Sequence, residues 1–309
     1  MKRFAPVLLG IIALALLVAF LGPAVIGPLQ RVDYPLYSLS FLITFTVLLL
    51  LTLRFRTILS NLEKGPFSFG RLFIIQSASN LLGHVSPARS GEFLKSYIMR
   101  KRTGTGYAKG VALVLAEKML DMASICILGL FLGLAMIFRP GFSSYIFSTT
   151  VLLIIVAAGI FLMASRSAIN LLFRLPLVSK KIRGKDAAGF HSIFRGIIKP
   201  GAVASPFLLT VALQLLAATR IIIIFAALGA GGSPFPLLFV YFVAMVVGII
   251  SLIPGGLGSY EISGVVLYTT MLGIDLPTAA AALLLLRLST YAIDIPVGLA
   301  CMYGLKRKD

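Results

Sequence analysis

The sequence predicts an all-α polytopic membrane protein: about six full transmembrane helices plus two broken or re-entrant hairpins, arranged as an inverted repeat. Three observations carry this reading. Of 309 residues, 59% are hydrophobic and only 12% charged, with a mean hydropathy of +1.03; a soluble domain averages roughly a quarter charged. Apolar runs of about 20 residues, the length a helix needs to cross a bilayer, recur along the chain. Basic clusters separate those runs, and 28 Lys+Arg against 10 Asp+Glu give a net charge of +18. A water-soluble enzyme is excluded, as is a disordered or fibrous protein. On a soluble chain this charge would suggest nucleic acid. Spread between apolar runs, it reads as cytoplasmic loops, with no nucleic-acid partner. No polar stretch is long enough for a soluble domain, so 1–309 reads as a single integral membrane domain.

The first span, 4–21, follows Lys2 and Arg3. Its apolar core is long for a signal peptide and shows no small-x-small cleavage site, so it reads as a retained helix. Further full spans are expected at 36–53, 108–138, 145–165, 203–228 and 278–303. Two stretches fit no simple crossing. In 72–98 an apolar segment is broken at His84-Val85-Ser86-Pro87 and becomes half polar; in 237–273 an apolar run is interrupted by IPGGLG at 253–258. Pro and Gly punctuate both in the middle, which predicts broken helices or re-entrant hairpins. Such backbone is tolerated at membrane depth only where protein or a wet cavity covers it.

Basic residues orient the spans. Arg54, Arg56, Lys64 and Arg71 follow the second span, and Lys95, Arg100, Lys101, Arg102 and Lys109 follow the first broken segment. Eight more lie in a basic loop at 166–199, and Lys306, Arg307 and Lys308 end the sequence. The opposite loops hold Arg31 and Arg139. Both termini are therefore assigned to the cytoplasmic side of the cell membrane. The first broken segment has basic flanks and the second uncharged ones, so they enter from opposite sides. The halves 1–139 and 143–309 then form an inverted repeat, an architecture of secondary transporters. The internal match sets Pro87, Gly91 and Glu92 against Pro254 and Glu261, each followed by a charge inside an apolar helix, Glu117 and Arg287. The loop at 166–199, with Phe190, Ile193 and Phe194 among its apolar residues, reads either as a segment lying on anionic head groups or as a topology signal alone.

Few residues can carry chemistry. Glu92, Glu117, Asp121, Glu261 and Asp294 fall in spans or broken hairpins, with Lys118, Arg220 and Arg287. Each charge at a helix centre costs roughly 2.5–3.5 kcal/mol on insertion scales, so these must face one another or a cavity. Glu117 and Asp121 share a helix face, as do Arg287, Tyr291 and Asp294. At the α-helical rise, Asp121 lies ~18 Å beyond Lys109 and Arg287 ~15 Å beyond Pro277, both near midplane. Two readings follow: a substrate site between the halves, or Arg287 held by Glu117 or Asp121 to fix packing. Gly255, Gly256 and Gly258 permit positive φ, and a half-helix starting near Ser259 would offer free N–H groups to an anion. Cys126, Cys301, His84 and His191 show no metal-ligand or disulfide spacing, so no metal and no cofactor is expected. Walker, H-E-x-x-H, G-x-S-x-G and dinucleotide signatures are missing, so no enzymatic activity is expected.

Four blocks carry a family resemblance: SASNLLGHVSPARSGEFLKSYIMRKRTG, AEKMLDMASICILGL, IISLIPGGLGSYEISGVV and LLLLRLSTYAIDIPVGL. They resemble the lysylphosphatidylglycerol synthase transmembrane-region family over nearly the whole chain. The family pattern falls on Pro87, Gly91 and Glu92; on Glu117, Lys118 and Asp121; on Pro254, Gly255, Gly256, Gly258 and Glu261; and on Arg287. Lys118 replaces the commoner Arg, and Ser259 and Tyr260 stand where other members often carry Val and Arg. In the multiple peptide resistance factor, a region of this type moves aminoacylated phosphatidylglycerol between leaflets, and a separate soluble domain performs the aminoacyl transfer. With Asp309 directly after the last helix, the resemblance implies lipid translocation rather than synthesis. The implied partner is a membrane lipid, an anionic phospholipid or a polyprenyl-linked one. The implied head-group cavity comprises Glu92, Glu117, Lys118, Asp121, Gly255, Gly256, Gly258, Glu261, Arg287, Tyr291 and Asp294, with Pro87, Arg89, Gly91, Arg220 and Pro254 as additional candidates. A membrane-embedded transferase and an ion-coupled solute transporter are the alternatives, and oligomeric state is open, a homodimer included.

Overall fold

The computed structural model describes residues 22, 25–62, 67–103, 107–136, 150, 154, 193–194, 196–197, 199–251 and 253–307. The spans expected at 4–21 and 145–165, and most of the loop at 166–199, lie outside these. The described residues are helical, with no strand among them. After a short α1 (Ile26–Gln30) come α2 (Tyr34–Leu62), α3 (Phe69–His84), a 3-10 turn (Pro87–Phe93), α4 (Leu94–Thr103) and α5 (Tyr107–Ala135). Then follow α6 (Pro200–Ala227), α7 (Pro234–Ile250), a second 3-10 turn (Pro254–Gly256), α8 (Ser259–Leu272) and α9 (Leu276–Arg307).

Local chemistry sets the helix ends. The Asp33 carboxylate accepts the Leu36 N–H at 3.0 Å at the start of α2, and the Asp275 carboxylate accepts the Thr278 N–H at 3.0 Å at the start of α9. Both satisfy donors that a helix start leaves open. Pro sits in the first turn of α6 and α7, where its missing N–H costs nothing. Gly273, at φ 65°, ends α8 in the left-handed conformation.

Both expected breaks are present. Pro87 holds Ser86 extended at φ −114°, ψ 145°, so α3 cannot continue. The Ser86 hydroxyl then accepts the Gly91 N–H at 2.6 Å, closing the turn. In the second break the Ser251 and Ser259 hydroxyls bridge at 2.8 Å. Gly91 is pressed on the Leu82 carbonyl so closely that a Cβ there would overlap it. Gly91→Ala should therefore abolish the folded, monodisperse peak in size-exclusion chromatography. Gly27→Ala, with open space around the new methyl, should elute as wild type. Normal elution of Gly91→Ala would show that the turn can yield.

Among the described residues, three helices are long and apolar enough to cross a membrane: Tyr34–Leu62, Gly201–Ala227 and Leu276–Leu305; Pro234–Ile250 is a shorter apolar helix. Large apolar side chains lie on the outside of the bundle, and charged ones are buried within it beside an apolar core. Leu42, Phe131, Leu134 and Leu208 are exposed, while Arg54, Lys95, Glu117 and Arg220 are buried. In water that distribution would be reversed.

The helix contacts have an internal regularity. In the first series α2 packs on α3 and α4 on α5; in the second α6 packs on α7 and α8 on α9. Across the series α3 meets α9 as α7 meets α5, and α2 meets α9 as α6 meets α5. The helices α2 and α6 pack on each other, and so do the two 3-10 turns. Exchanging α2–α5 with α6–α9 returns the same set of contacts among these eight helices.

One expectation is corrected here. Arg54 and Lys95 were assigned to cytoplasmic flanks, but α2 runs past Arg54 to Leu62, and both side chains are buried. Phe194, which one of the two readings of the basic loop lays on lipid head groups, is buried, in one apolar cluster with Phe55, Ile58, Leu59 and Met99.

Candidate functional site

A cavity of about 310 Å³ opens between α2, α3, α5, α6, α7 and α9, bounded by both breaks. Its volume lies in the range of small-ligand sites. On the first-series side, Arg54 pairs with Asp121 and lies 3.8 Å from Glu117. Lys95 donates to Glu117 at 2.6 Å and sits 4.9 Å over the Phe55 ring. Glu92 holds both Arg89 and Lys118, each at 2.6 Å. Placing a Cβ on Gly83 would put it 2.8 Å from the Glu92 Cγ, so that glycine makes room for the carboxylate.

The second-series side repeats part of this wiring. Glu261 pairs with Arg287, as Glu92 pairs with Lys118. Arg220 donates to Thr44 at 2.9 Å, as Arg54 donates to Thr210 at 3.3 Å. Thr44 and Arg54 have the same spacing on α2 as Thr210 and Arg220 on α6. Arg220 also donates to Thr290 at 2.9 Å. Thr290 lies three residues beyond Arg287, as Asp121 lies three beyond Lys118. A carboxylate in the first series is thus a hydroxyl in the second.

The breaks meet beside the cavity. His84 Nε2 lies 2.7 Å from the Asp294 carboxylate, which also accepts from Asn80 at 3.0 Å. The His84 ring stands edge-on to Tyr291 at 5.6 Å. Gly255 and Gly256 have φ of 61° and 66°, and a Cβ on Gly255 would lie 2.8 Å from the His84 carbonyl. Only glycine combines that conformation with that approach.

Of the expected site residues, Arg89, Glu92, Lys118, Asp121, Arg220, Gly255, Gly256, Arg287 and Asp294 line the cavity. Glu117, Gly258, Glu261 and Tyr291 are not in its lining, and Pro87, Gly91 and Pro254 belong to the turns that close it. Glu117 is 1% exposed behind the wall. One expectation about partners is corrected. Arg287 is held by Glu261, not by Glu117 or Asp121, which are taken by Lys95 and Arg54. At the start of α8 the Glu261 carboxylate accepts the Gly258 N–H at 2.7 Å. The pairing also moves the internal match by one residue, so that Lys118 rather than Glu117 answers Arg287.

Cavity residues not anticipated include Arg54, Gln76, Asn80, His84, Tyr241 and Tyr260. Gln76, Asn80 and His84 fall at i, i+4 and i+8 on α3, a polar stripe in an apolar helix that could have been read as a cavity face. The Gln76 Oε1 and the Tyr260 hydroxyl are buried in this lining without a hydrogen-bond partner.

A helical bundle with an apolar exterior and a charged, ligand-sized interior is an integral membrane protein with a polar site at depth. The chain belongs to the lysylphosphatidylglycerol synthase TM region family, whose model matches residues 7–298. It is similar to UPF0104 membrane proteins of Methanothermobacter thermautotrophicus. One is 25% identical over 283 residues, covering 85% of this chain and 82% of that protein; another is 26% identical over 294 residues, covering 86% and 83%. It is also similar to the glycosyltransferase AglD of Haloferax volcanii, 25% identical over 340 residues, covering 97% of this chain and 54% of that protein.

Proposed function

We propose that this protein is a lipid flippase or lipid transporter, passing an anionic head group through the cavity while the hydrocarbon tails stay in the bilayer. The observation that carries the reading is the charged cavity inside a bundle whose outer surface is apolar. A head group needs a polar path, and tails need none. Family membership supports it. The substrate class is an aminoacylated or polyprenyl-linked anionic lipid. Reconstitution into liposomes with fluorescent lipids of several head groups, scored by leaflet-selective quenching, tests it. Exchange rates equal to protein-free vesicles for every lipid would refute it.

The same reading makes the two series an inverted repeat of six full spans and two broken hairpins in the cell membrane, with both termini cytoplasmic. The exchangeable helix contacts and the recurring Thr–Arg and Glu–cation pairs support this. Single cysteines replacing Ser233 and Ser179 should react with impermeant reagent from outside and inside respectively. Labelling of both from one side would exclude the arrangement.

Similarity to a protein named a glycosyltransferase favours a second reading, a membrane-embedded transferase. Release of nucleoside diphosphate from a nucleotide sugar by the purified protein, with no lipid exchange, would select it.

A further inference from the structure

We infer that Arg220 receives a phosphate-type anion in the cavity, at the place where the first series carries its own carboxylate, Asp121. The inference rests on the head-group reading above and names the group that makes the anion contact.

The first observation is an unmatched charge. Arg54, Arg89, Lys118 and Arg287 line the cavity, and each has a carboxylate partner. Arg220 lines it as well and is 7% exposed. Among the described residues it has no carboxylate within ion-pair distance. Its donors go to neutral oxygens: Thr44 and Thr290 at 2.9 Å, and the Ala217 carbonyl at 3.1 Å. A buried guanidinium without a counter-charge is the costliest group in such a bundle, and a ligand anion supplies what the protein lacks.

The second observation comes from the other series. Around Arg54 the same framework, with Thr210 on one side and position 121 on the other, is completed by a carboxylate. At the corresponding place Thr290 presents a neutral hydroxyl, which donates to the Leu286 carbonyl at 2.9 Å and carries no charge to repel an anion. The site is thus pre-shaped for a negative group that the chain does not provide. The third observation is the Tyr260 hydroxyl, buried, unpartnered and in the same lining. It offers a further donor to a phosphate oxygen. Guanidinium groups suit phosphate because they hold it through paired N–H donors.

The two sources of such an anion are a lipid phosphodiester and free phosphate, and separate arms of one experiment distinguish them. Protein in a zwitterionic phosphatidylcholine nanodisc is melted with a thiol-reactive fluorogenic dye, which reports exposure of the buried Cys126 and Cys301. Inorganic phosphate is titrated in one arm and phosphatidylglycerol in the other. At least one should raise the midpoint in the wild-type protein, and the effective arm names the source. Arg220→Gln should remove the rise. Thr290→Asp should fold as wild type, because it neutralises Arg220 as Asp121 neutralises Arg54, and should weaken the anion's effect roughly tenfold or more. Arg31→Gln, an exposed charge, should bind as wild type. No rise in either arm, or an undiminished rise in Thr290→Asp, overturns the inference. Anion binding through Arg220 in a protein that exchanges no lipid would sink the flippase reading alone. Lipid exchange at the wild-type rate in Thr290→Asp would sink the Arg220 site alone.

Discussion

Glu117→Gln is expected to cost about 3–5 kcal/mol of stability, the range for orphaning a buried charge. Glu117 accepts from Lys95 at 2.6 Å and lies 3.8 Å from Arg54, and both cations are buried with it. Removing the carboxylate leaves the Lys95 ammonium against the Phe55 ring, a contact far weaker than the ion pair it loses. The second variant, Lys95→Met, separates charge from shape. Alone it should also destabilise, by orphaning Glu117. Combined with Glu117→Gln it should recover most of the loss, because two matched charges have been removed together. Thermal unfolding in detergent, followed through Cys126 and Cys301, measures all three. A Glu117→Gln protein that melts with the wild type would mean that water reaches the pair.

The Arg287–Glu261 pair is expected to behave the same way and to settle what Arg287 does. Arg287→Gln leaves a buried carboxylate with the Gly258 N–H as its remaining described hydrogen-bond donor. Glu261→Gln leaves a buried guanidinium between the Tyr260 and Tyr291 rings, 5.0 and 6.0 Å away. Each single change should cost about 3–5 kcal/mol, and the double change should restore most of it. Lipid exchange should return with stability in the double variant, because Arg287 positions α8 against α9 and Arg220 receives the anion. A double variant that is stable but unable to exchange lipid would make Arg287 the anion-binding group.

Much of this was legible in the residue pattern. The apolar runs mark the described spans to within a few residues, except that α2 continues through Arg54 to Leu62. Pro87 and the Pro254–Gly258 run place both breaks, and the three glycines there do have positive φ. The intramembrane acids could be found by elimination, because so few exist. Their partners could not. Lys95 and Glu117 are 22 residues apart and His84 and Asp294 are 210 apart, separations that no helical periodicity connects. A basic residue at the end of an apolar run reads equally as a topology signal or as a buried partner, and Arg54 and Lys95 proved to be the second. Thr44 and Thr210 were invisible for another reason. Threonine in an apolar helix ordinarily bonds back to its own preceding turn, as both do here to Ser40 and Pro206, and nothing in that habit signals a second bond to an arginine from the opposite series.

The crossed bonds between α2 and α6 also set an order of events during synthesis. Arg54 emerges from the ribosome long before its partners: Asp121 follows 67 residues later and Thr210 156 residues later. At about 5–20 residues per second, Asp121 arrives roughly 3–13 s after Arg54. Through that interval the nascent α2 carries a cation that lipid will not accept. It must either wait beside the insertion machinery or let Arg54 reach back to the head-group layer. Arg220 has no such delay at Thr44, which is already in the membrane when it appears. The N-terminal half is therefore the vulnerable one during biogenesis, and a ribosome stalled before α6 would release a fragment with its polar wiring unfinished, a natural substrate for membrane quality-control proteases.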